Sequence, residues 1–117
     1  MNGHLGFNED GVDFSLRSHR TSLSATTKSV QRKYFSGQDL PLTEGITLGI
    51  AQIMESKTVI VIANGKKKAE IVAEAILGPV TNRVPASVLQ EHPNCIYLLD
   101  DEAASLLPAD LPGLQKI

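Results

Sequence analysis

The sequence predicts an α/β fold in which helices are layered on a mostly parallel sheet, in a Rossmann-like arrangement. Residues 58–63 form an unbroken apolar run rich in β-branched side chains, which is typical of a strand buried on both faces of a parallel sheet. Residues 95–99 form a second apolar run, and apolar residues recur at helical spacing from Lys66 to Leu77 between the two. A strand, a helix and a strand in succession favour a parallel crossover.

Length and composition limit the classes of function. The 117 residues are enough for one domain spanning residues 1–117, with 42% hydrophobic residues to form a core. The net charge of -2 provides no general basic surface, so nucleic acid is not expected as a partner. No apolar run approaches the roughly 20 residues that span a bilayer, and a single cysteine cannot form an internal disulfide. We therefore expect a cytoplasmic protein without membrane contact.

The first half of the chain is expected to contain a strand and two helices. A short strand is predicted over residues 17–24. Thr26 or Thr27 can cap a helix that passes through Lys33 and ends at Gly37, because glycine commonly terminates helices. Thr43 is expected to cap the next helix, which ends before Lys57. Its expected core positions are Ile46, Leu48, Ile50, Ile53 and Met54.

The second half alternates helices with the two apolar runs. Gly78 and Pro79 are expected to stop the helix from Lys66, and Pro85 to begin a short helix. Asp100 or Asp101 can cap a last helix through residue 107. The tail over residues 108–117 is expected to be frayed.

The N-terminal segment of residues 2–9 combines two glycines with a histidine and a carboxylate. Gly3 and Gly6 permit backbone angles closed to other residues, so the chain can bend sharply around His4. An imidazole both accepts and donates protons near neutrality, and Glu9 on a folded-back loop could hold its second ring nitrogen. This is the pattern of a base with an orienting partner. The residues alone leave open a solvent-exposed histidine in an N-terminal segment.

A second candidate site lies where the strand of residues 58–63 meets Asn64 and Gly65. A strand, a glycine turn and a helix expose backbone N–H groups that attract an anion, and Lys66–Lys68 add positive charge there. The spacing is not that of an ATP-binding P-loop, because Lys67 stands where serine or threonine is required. A lysine run can also be a solvated surface.

His92 and Cys95 have the spacing of two metal ligands. The sequence offers no second pair to complete a tetrahedral set, so no metal site is expected.

Residues 2–9, Asn-Gly-His-Leu-Gly-Phe-Asn-Glu, resemble the signature of the glucosamine-6-phosphate deaminases, which are similar in fold to the 6-phosphogluconolactonases. The Phe-Asn-Glu ending favours a deaminase over a lactonase. The resemblance continues through residues 42–50, 64–69 and 85–93 and reaches about Asp100. It covers the C-terminal half of the family's domain, so it implies a partial Rossmann-like sheet of three or so strands.

This resemblance implies conversion of an amino-sugar 6-phosphate and water to a ketose 6-phosphate and ammonia, without a cofactor. It assigns the proton that opens the sugar ring to His4, with help from Asn2 and Glu9. It assigns phosphate binding to Lys68 and, in the lid region, to Lys33. It also implies a small sugar phosphate as the partner and a homo-oligomer for the full-length form.

The candidate loop begins at the first residue, without a preceding strand to position it. We therefore interpret the chain as a C-terminal portion of a longer protein or as a reading frame that starts internally, and expect it to be inactive alone. Alternatives are a galactosamine-6-phosphate deaminase and a lactonase-like hydrolase. From another class come an inactive truncated product and a non-catalytic sugar-phosphate-binding module.

Overall fold

The computed structural model describes residues 3–31 and 42–117, whose strands form two separate two-stranded sheets. Strand β1 (His19–Ser22) pairs antiparallel with β2 (Glu44–Thr47), and β3 (Val59–Ala63) pairs parallel with β4 (Cys95–Leu99). The α/β class and the parallel pairing of the two apolar runs are confirmed. Instead of one mostly parallel sheet, the described residues form one parallel and one antiparallel pair.

The helices in the described residues are short. They are α1 (Ala25–Gln31), α2 (Ile50–Glu55), α3 (Ala69–Leu77), a first 3₁₀ helix (Lys66–Lys68) and a second 3₁₀ helix (Pro85–Glu91). The helix predicted from Lys66 to Leu77 is confirmed, with its first turn wound as 3₁₀ and Gly78 as its C-terminal cap. None of the helices within the described ranges has the length and apolarity needed to cross a bilayer.

The core is built around α3 and the second 3₁₀ helix, which contact each other. The Nε2 atom of Gln90 donates hydrogen bonds of 2.9 Å to the carbonyl oxygens of both Ala75 and Gly78, so the second 3₁₀ helix satisfies carbonyl groups at the end of α3. The buried apolar residues are Leu23, Ile50, Ala69, Val72, Ala75, Ala86, Val88, Leu89 and Ala103.

Within the described residues, other elements cover only one face of the parallel sheet. In register, Ile60 lies beside Ile96 and Ile62 lies beside Leu98. All four side chains are exposed, whereas their neighbours along each strand are half-buried. The expectation of a strand buried on both faces is therefore wrong for this chain by itself, because the described elements cover only the other face.

The prediction of a helix that begins at Thr43 is wrong. Residues 44–47 form β2, in which Arg20 pairs with Ile46 and Ser22 with Glu44, so backbone groups that a helix would satisfy are satisfied by β1. The side chain of Ile46 is 78% exposed and does not belong to the core. The helix begins later, at Ile50, where the side-chain oxygen of Gln52 accepts a 3.0 Å hydrogen bond from the N–H of Gly49.

The cap predicted for α1 is also wrong by a few residues. Ser24, rather than Thr26 or Thr27, is the cap, because its Oγ accepts a hydrogen bond of 3.2 Å from the backbone N–H of Thr27. The helix is described as far as Gln31, so its predicted continuation through Lys33 lies outside the described residues.

The last helix predicted, over residues 100–107, is a series of turns. Asp100 does cap the first turn, since its Oδ1 accepts a hydrogen bond of 2.7 Å from the N–H of Ala103. The same carboxylate also accepts hydrogen bonds from Gly65, which lies at the start of the first 3₁₀ helix. Residues 108–117 are largely exposed and contain two further turns.

Candidate active site

Residues 3–9 form a tight loop, which we call the His4 loop. Leu5 and Asn8 exchange backbone hydrogen bonds of 3.2 and 3.0 Å, which closes the turn. Gly3 and Gly6 have φ angles of +63° and +59°, a region that favours glycine, so the predicted need for glycine at both positions is confirmed. A Cβ atom on Gly6 would also lie 2.7 Å from the Thr47 Oγ1, so this glycine lets the loop approach β2 closely.

The imidazole of His4 is exposed and is oriented by its own loop. Its Nδ1 lies 2.8 Å from the carbonyl oxygen of Gly6. Because a carbonyl oxygen only accepts, Nδ1 carries the hydrogen, and in the neutral ring the lone pair is then on Nε2. Nε2 has no hydrogen-bond partner within residues 3–31 and 42–117. His4 therefore presents an accepting nitrogen to whatever occupies the space beside the loop.

Glu9 does not hold the ring of His4 in this structure. Its Oε1 accepts hydrogen bonds from the Thr27 Oγ1 at 2.6 Å and from the Ser24 Oγ at 3.0 Å. The carboxylate is thus directed to the start of α1, and the carbonyl of Gly6 takes the orienting position that we predicted for Glu9. The sequence did not indicate this because an acceptor five residues away and a backbone carbonyl two residues away are both within reach of an imidazole.

Asn8 anchors the loop, a role that the sequence analysis missed. Its side chain is fully buried, and Nδ2 donates to the carbonyl oxygens of Leu5 at 2.8 Å and Leu48 at 2.7 Å. The backbone N–H of Phe7 donates to the Thr47 Oγ1 at 3.2 Å beside it. The loop is therefore attached to the end of β2 by side-chain and backbone bonds. The sequence gives no signal for this anchoring role beyond the position of Asn8 within residues 2–9.

The other end of the His4 loop rests on the second 3₁₀ helix and on α3. The carbonyl oxygen of Gly3 accepts a hydrogen bond of 2.9 Å from the N–H of Ala86. A Cβ on Gly3 would lie 3.0 Å from the side chain of Val84 and 3.2 Å from that of Ile71. Ile71 belongs to α3, and Lys68, the N-cap residue of that helix, precedes it by three residues. The loop that carries His4 thus packs on α3 at Ile71, about one helical turn after Lys68.

The three lysines differ in exposure. Lys66 and Lys67 are exposed, whereas Lys68 is half-buried. One helical turn cannot aim three consecutive side chains at one point, and exposure separates Lys68 from the other two. Asn2 and Lys33, the other predicted site residues, lie outside the described residues.

The backbone N–H groups before α3 attract anions as expected, but carboxylates of the chain itself occupy two of them. The N–H of Gly65 lies 3.0 and 2.9 Å from the two carboxylate oxygens of Asp100, and the N–H of Lys66 donates to Glu102 at 3.2 Å. These groups are therefore not free for a phosphate.

His92 has a structural role. Its Nε2 lies 2.8 Å from the carbonyl oxygen of Ser56, and its Nδ1 accepts a hydrogen bond of 3.0 Å from the N–H of Asn94. Both ring nitrogens of this buried side chain are thus engaged in hydrogen bonds. Three residues later, burial raises the pKa of the Cys95 thiol. Across the described ranges, His, Cys, Asp and Glu side chains form no group of three or more suited to a metal ion.

Comparison with known proteins connects this geometry to one family. No protein-family model matches the chain. A curated glucosamine-6-phosphate deaminase from Streptococcus uberis is 45% identical over 106 residues, which are 91% of this chain and 45% of that protein. One from Oenococcus oeni is 44% identical over 106 residues with the same coverage. This chain is homologous to part of a glucosamine-6-phosphate deaminase.

A solved structure supports the same relationship. It is a monomeric glucosamine-6-phosphate deaminase of the NagB superfamily, which superimposes with a TM-score of 0.81 at 39% sequence identity. The match covers 90% of this chain and 44% of the solved chain. The resemblance to glucosamine-6-phosphate deaminases is confirmed, and the chain spans somewhat less than half the length of these relatives.

Substituting Asn8→Asp should detach the His4 loop. The change replaces an NH₂ group that serves two carbonyl oxygens with a buried carboxylate that faces them. We expect the free energy of unfolding to fall by about 3–5 kcal/mol at neutral pH. The loss should shrink near about pH 4, because a protonated carboxyl can donate one hydrogen bond. Urea unfolding at both pH values measures the difference.

Asn82→Asp is the matched control, because the Asn82 side chain is exposed. It should change the free energy of unfolding by no more than about 0.5 kcal/mol. Equal effects of the two substitutions would show that the Asn8 amide does not anchor the loop.

Proposed function

We propose that this chain supplies the ring-opening and phosphate-binding part of a glucosamine-6-phosphate deaminase. Such an enzyme converts an amino-sugar 6-phosphate and water to a ketose 6-phosphate and ammonia. The observation that carries the proposal is the His4 loop. Among the described residues the Nε2 of His4 has no hydrogen-bond partner, and Gly3 packs against Ile71 of α3, three residues after Lys68. The loop that carries the base and the residue that carries the cation thus both adjoin the first turns of α3. Homology to curated deaminases supports the choice of reaction.

His4 would move the proton that opens the pyranose ring. Opening a cyclic hemiacetal removes the proton of the anomeric hydroxyl, breaks the bond between the anomeric carbon and the ring oxygen, and adds a proton to that oxygen. A neutral imidazole with its lone pair on Nε2 can accept the first proton and return it to the ring oxygen. The Gly6 carbonyl favours this tautomer because it occupies the Nδ1 hydrogen.

Lys68 would hold the 6-phosphate. The carboxylates of Asp100 and Glu102 already occupy N–H groups at the helix start, so they repel an approaching phosphate. The ammonium charge of Lys68 would have to offset this repulsion. Lys33 and Asn2 remain proposed site residues on the strength of the resemblance alone.

The remaining chemistry would come from outside this chain. Isomerisation of the open sugar needs a base that removes a carbon-bound proton, and in the resembling family that base precedes the segment matched here. We therefore propose that the chain alone does not complete the reaction. A cytoplasmic location and a homo-oligomeric full-length form also remain proposals.

The second candidate is a non-catalytic sugar-phosphate-binding module. The observation that favours it is the direction of Glu9, whose carboxylate accepts hydrogen bonds from Ser24 and Thr27. Among residues 3–31 and 42–117 the His4 ring therefore has no carboxylate partner. Such a module would need Lys68 but not His4. Separate substitutions at these two residues distinguish the candidates.

A chimera tests the deaminase proposal directly. In it, this chain replaces the homologous region of the Streptococcus uberis deaminase, which supplies the rest of the family's length. We expect the chimera to release ammonia from glucosamine 6-phosphate, and the 117-residue chain alone to release none above background. A chimera that folds but has no activity, beside an active parent enzyme, would contradict the proposal.

Within the chimera, His4→Gln should slow turnover of the cyclic substrate by roughly 10²- to 10⁴-fold, because glutamine keeps a hydrogen bond but cannot carry a proton. A substrate held in the open-chain form should lose much less. The measurement is ammonia release from both substrates.

His19→Gln is the control, because the Nδ1 of His19 also contacts a carbonyl oxygen two residues away, that of Arg17 at 2.7 Å. It should leave turnover unchanged. An equal loss with cyclic and open substrates would exclude His4 as the ring-opening group.

Lys68→Met keeps the aliphatic stem and removes only the charge. A hydrogen bond to a charged group contributes about 1.5–3 kcal/mol, so affinity for the sugar phosphate should weaken roughly 10- to 100-fold. Binding of free glucosamine, which lacks the anion, should not weaken. The measurement is the dissociation constant of each ligand for the chimera.

Lys67→Met, at an exposed neighbouring position, serves as the control and should change affinity little. Equal small effects of the two substitutions would reduce the lysine run to a solvated surface.

A further inference from the structure

The hydrogen bonds of Glu9 link the His4 loop to helix α1. Glu9, Ser24 and Thr27 form a half-buried group, which we call the Glu9 cluster. The bond from the Thr27 Oγ1 to the Glu9 Oε1 is 2.6 Å, within the range of a charge-assisted O–H to carboxylate bond. The bond from the Ser24 Oγ to the same oxygen is 3.0 Å. These two hydroxyls therefore satisfy one oxygen of a carboxylate that is partly removed from water.

The Glu9 cluster and β2 hold the same end of the loop from two sides. Asn8 is next to Glu9, and its side-chain NH₂ donates to the carbonyl oxygen of Leu48, which follows β2. The backbone N–H of Phe7 donates to the Thr47 Oγ1. The carbonyl that orients His4 belongs to Gly6, which directly precedes Phe7. Any displacement of residues 7–9 would therefore move the group that sets the orientation of the imidazole.

We propose that Thr27 is a positioning residue for His4. Its hydroxyl holds the Glu9 carboxylate, and through it the C-terminal end of the His4 loop, so that Nε2 of His4 keeps a fixed direction. Ser24 assists from the same side. This inference rests on the proposed function for its catalytic consequence, but its structural part is independent of that function.

Thr27→Val is the informative change. Valine has nearly the shape of threonine and keeps the backbone N–H that donates to the Ser24 cap. Ser24→Ala would be ambiguous, because it would remove the cap of α1 along with the bond to Glu9. Thr26→Val is the matched control, since it makes the same change at an exposed neighbour in the same helix. Thr27→Ser tests rescue, because serine restores a hydroxyl.

The first measurement is amide hydrogen exchange in the 117-residue chain. The N–H groups of Leu5 and Asn8 form the bonds that close the loop. In Thr27→Val their exchange should accelerate about tenfold, which corresponds to about 1.4 kcal/mol. Thr26→Val should leave it unchanged, and Thr27→Ser should restore slow exchange. Equal exchange in Thr27→Val and Thr26→Val would overturn the proposal.

The second measurement is steady-state kinetics in the chimera. Thr27→Val should lower kcat by about tenfold with little change in KM, because phosphate binding is untouched while the proton-transfer group is misdirected. Thr27→Ser should recover most of the lost kcat. A loss confined to KM, or no rescue by serine, would overturn the positioning role. An inactive parent chimera would contradict the proposed function instead, and the exchange measurement would still decide whether Thr27 holds the loop.

Discussion

The buried amide of Asn8 is the contact on which the candidate site depends. It is fully removed from water and bridges two carbonyl oxygens, one within the His4 loop and one after β2. An NH₂ group is costly to bury without hydrogen bonds, so its two bonds hold the loop and the end of β2 in one relative position. The direction of His4, the close approach of Gly6 to Thr47 and the reach of Glu9 to α1 all follow from that position.

Two groups of elements in the described residues differ in how completely their side chains are buried. Around α3 and the second 3₁₀ helix, side chains such as Leu89 are almost fully buried. On the parallel sheet, Ile60, Ile62, Ile96 and Leu98 remain exposed on one face. Full burial of such a side chain stabilises a fold by about 1.5–3 kcal/mol, so this face contributes little while uncovered. The chain matches less than half of the length of its deaminase relatives.

The N–H groups at the start of α3 bind carboxylates of this chain rather than the phosphate for which the sequence suggested them. The turn at Gly65 was expected to attract an anion, and it does so, but the anions are the carboxylates of Asp100 and Glu102. They come from the turns that replace the predicted last helix. Lys68 at this helix start is half-buried, and its charge does not depend on free backbone groups.

Local pattern by itself determined the two apolar strands, the helix between them, the glycine-dependent bend around His4 and the likeness to deaminases. These features depend on residues close together in the chain, where periodicity and glycine conformations act directly. Tertiary structure alone decided the rest. Residues 44–47 have apolar positions compatible with a helix, yet pairing with His19–Ser22 makes them a strand. Glu9 could reach His4, yet the hydroxyls of Ser24 and Thr27 bind it. In each case a partner distant in sequence replaced a local one, and only the folded chain brings the distant partner close.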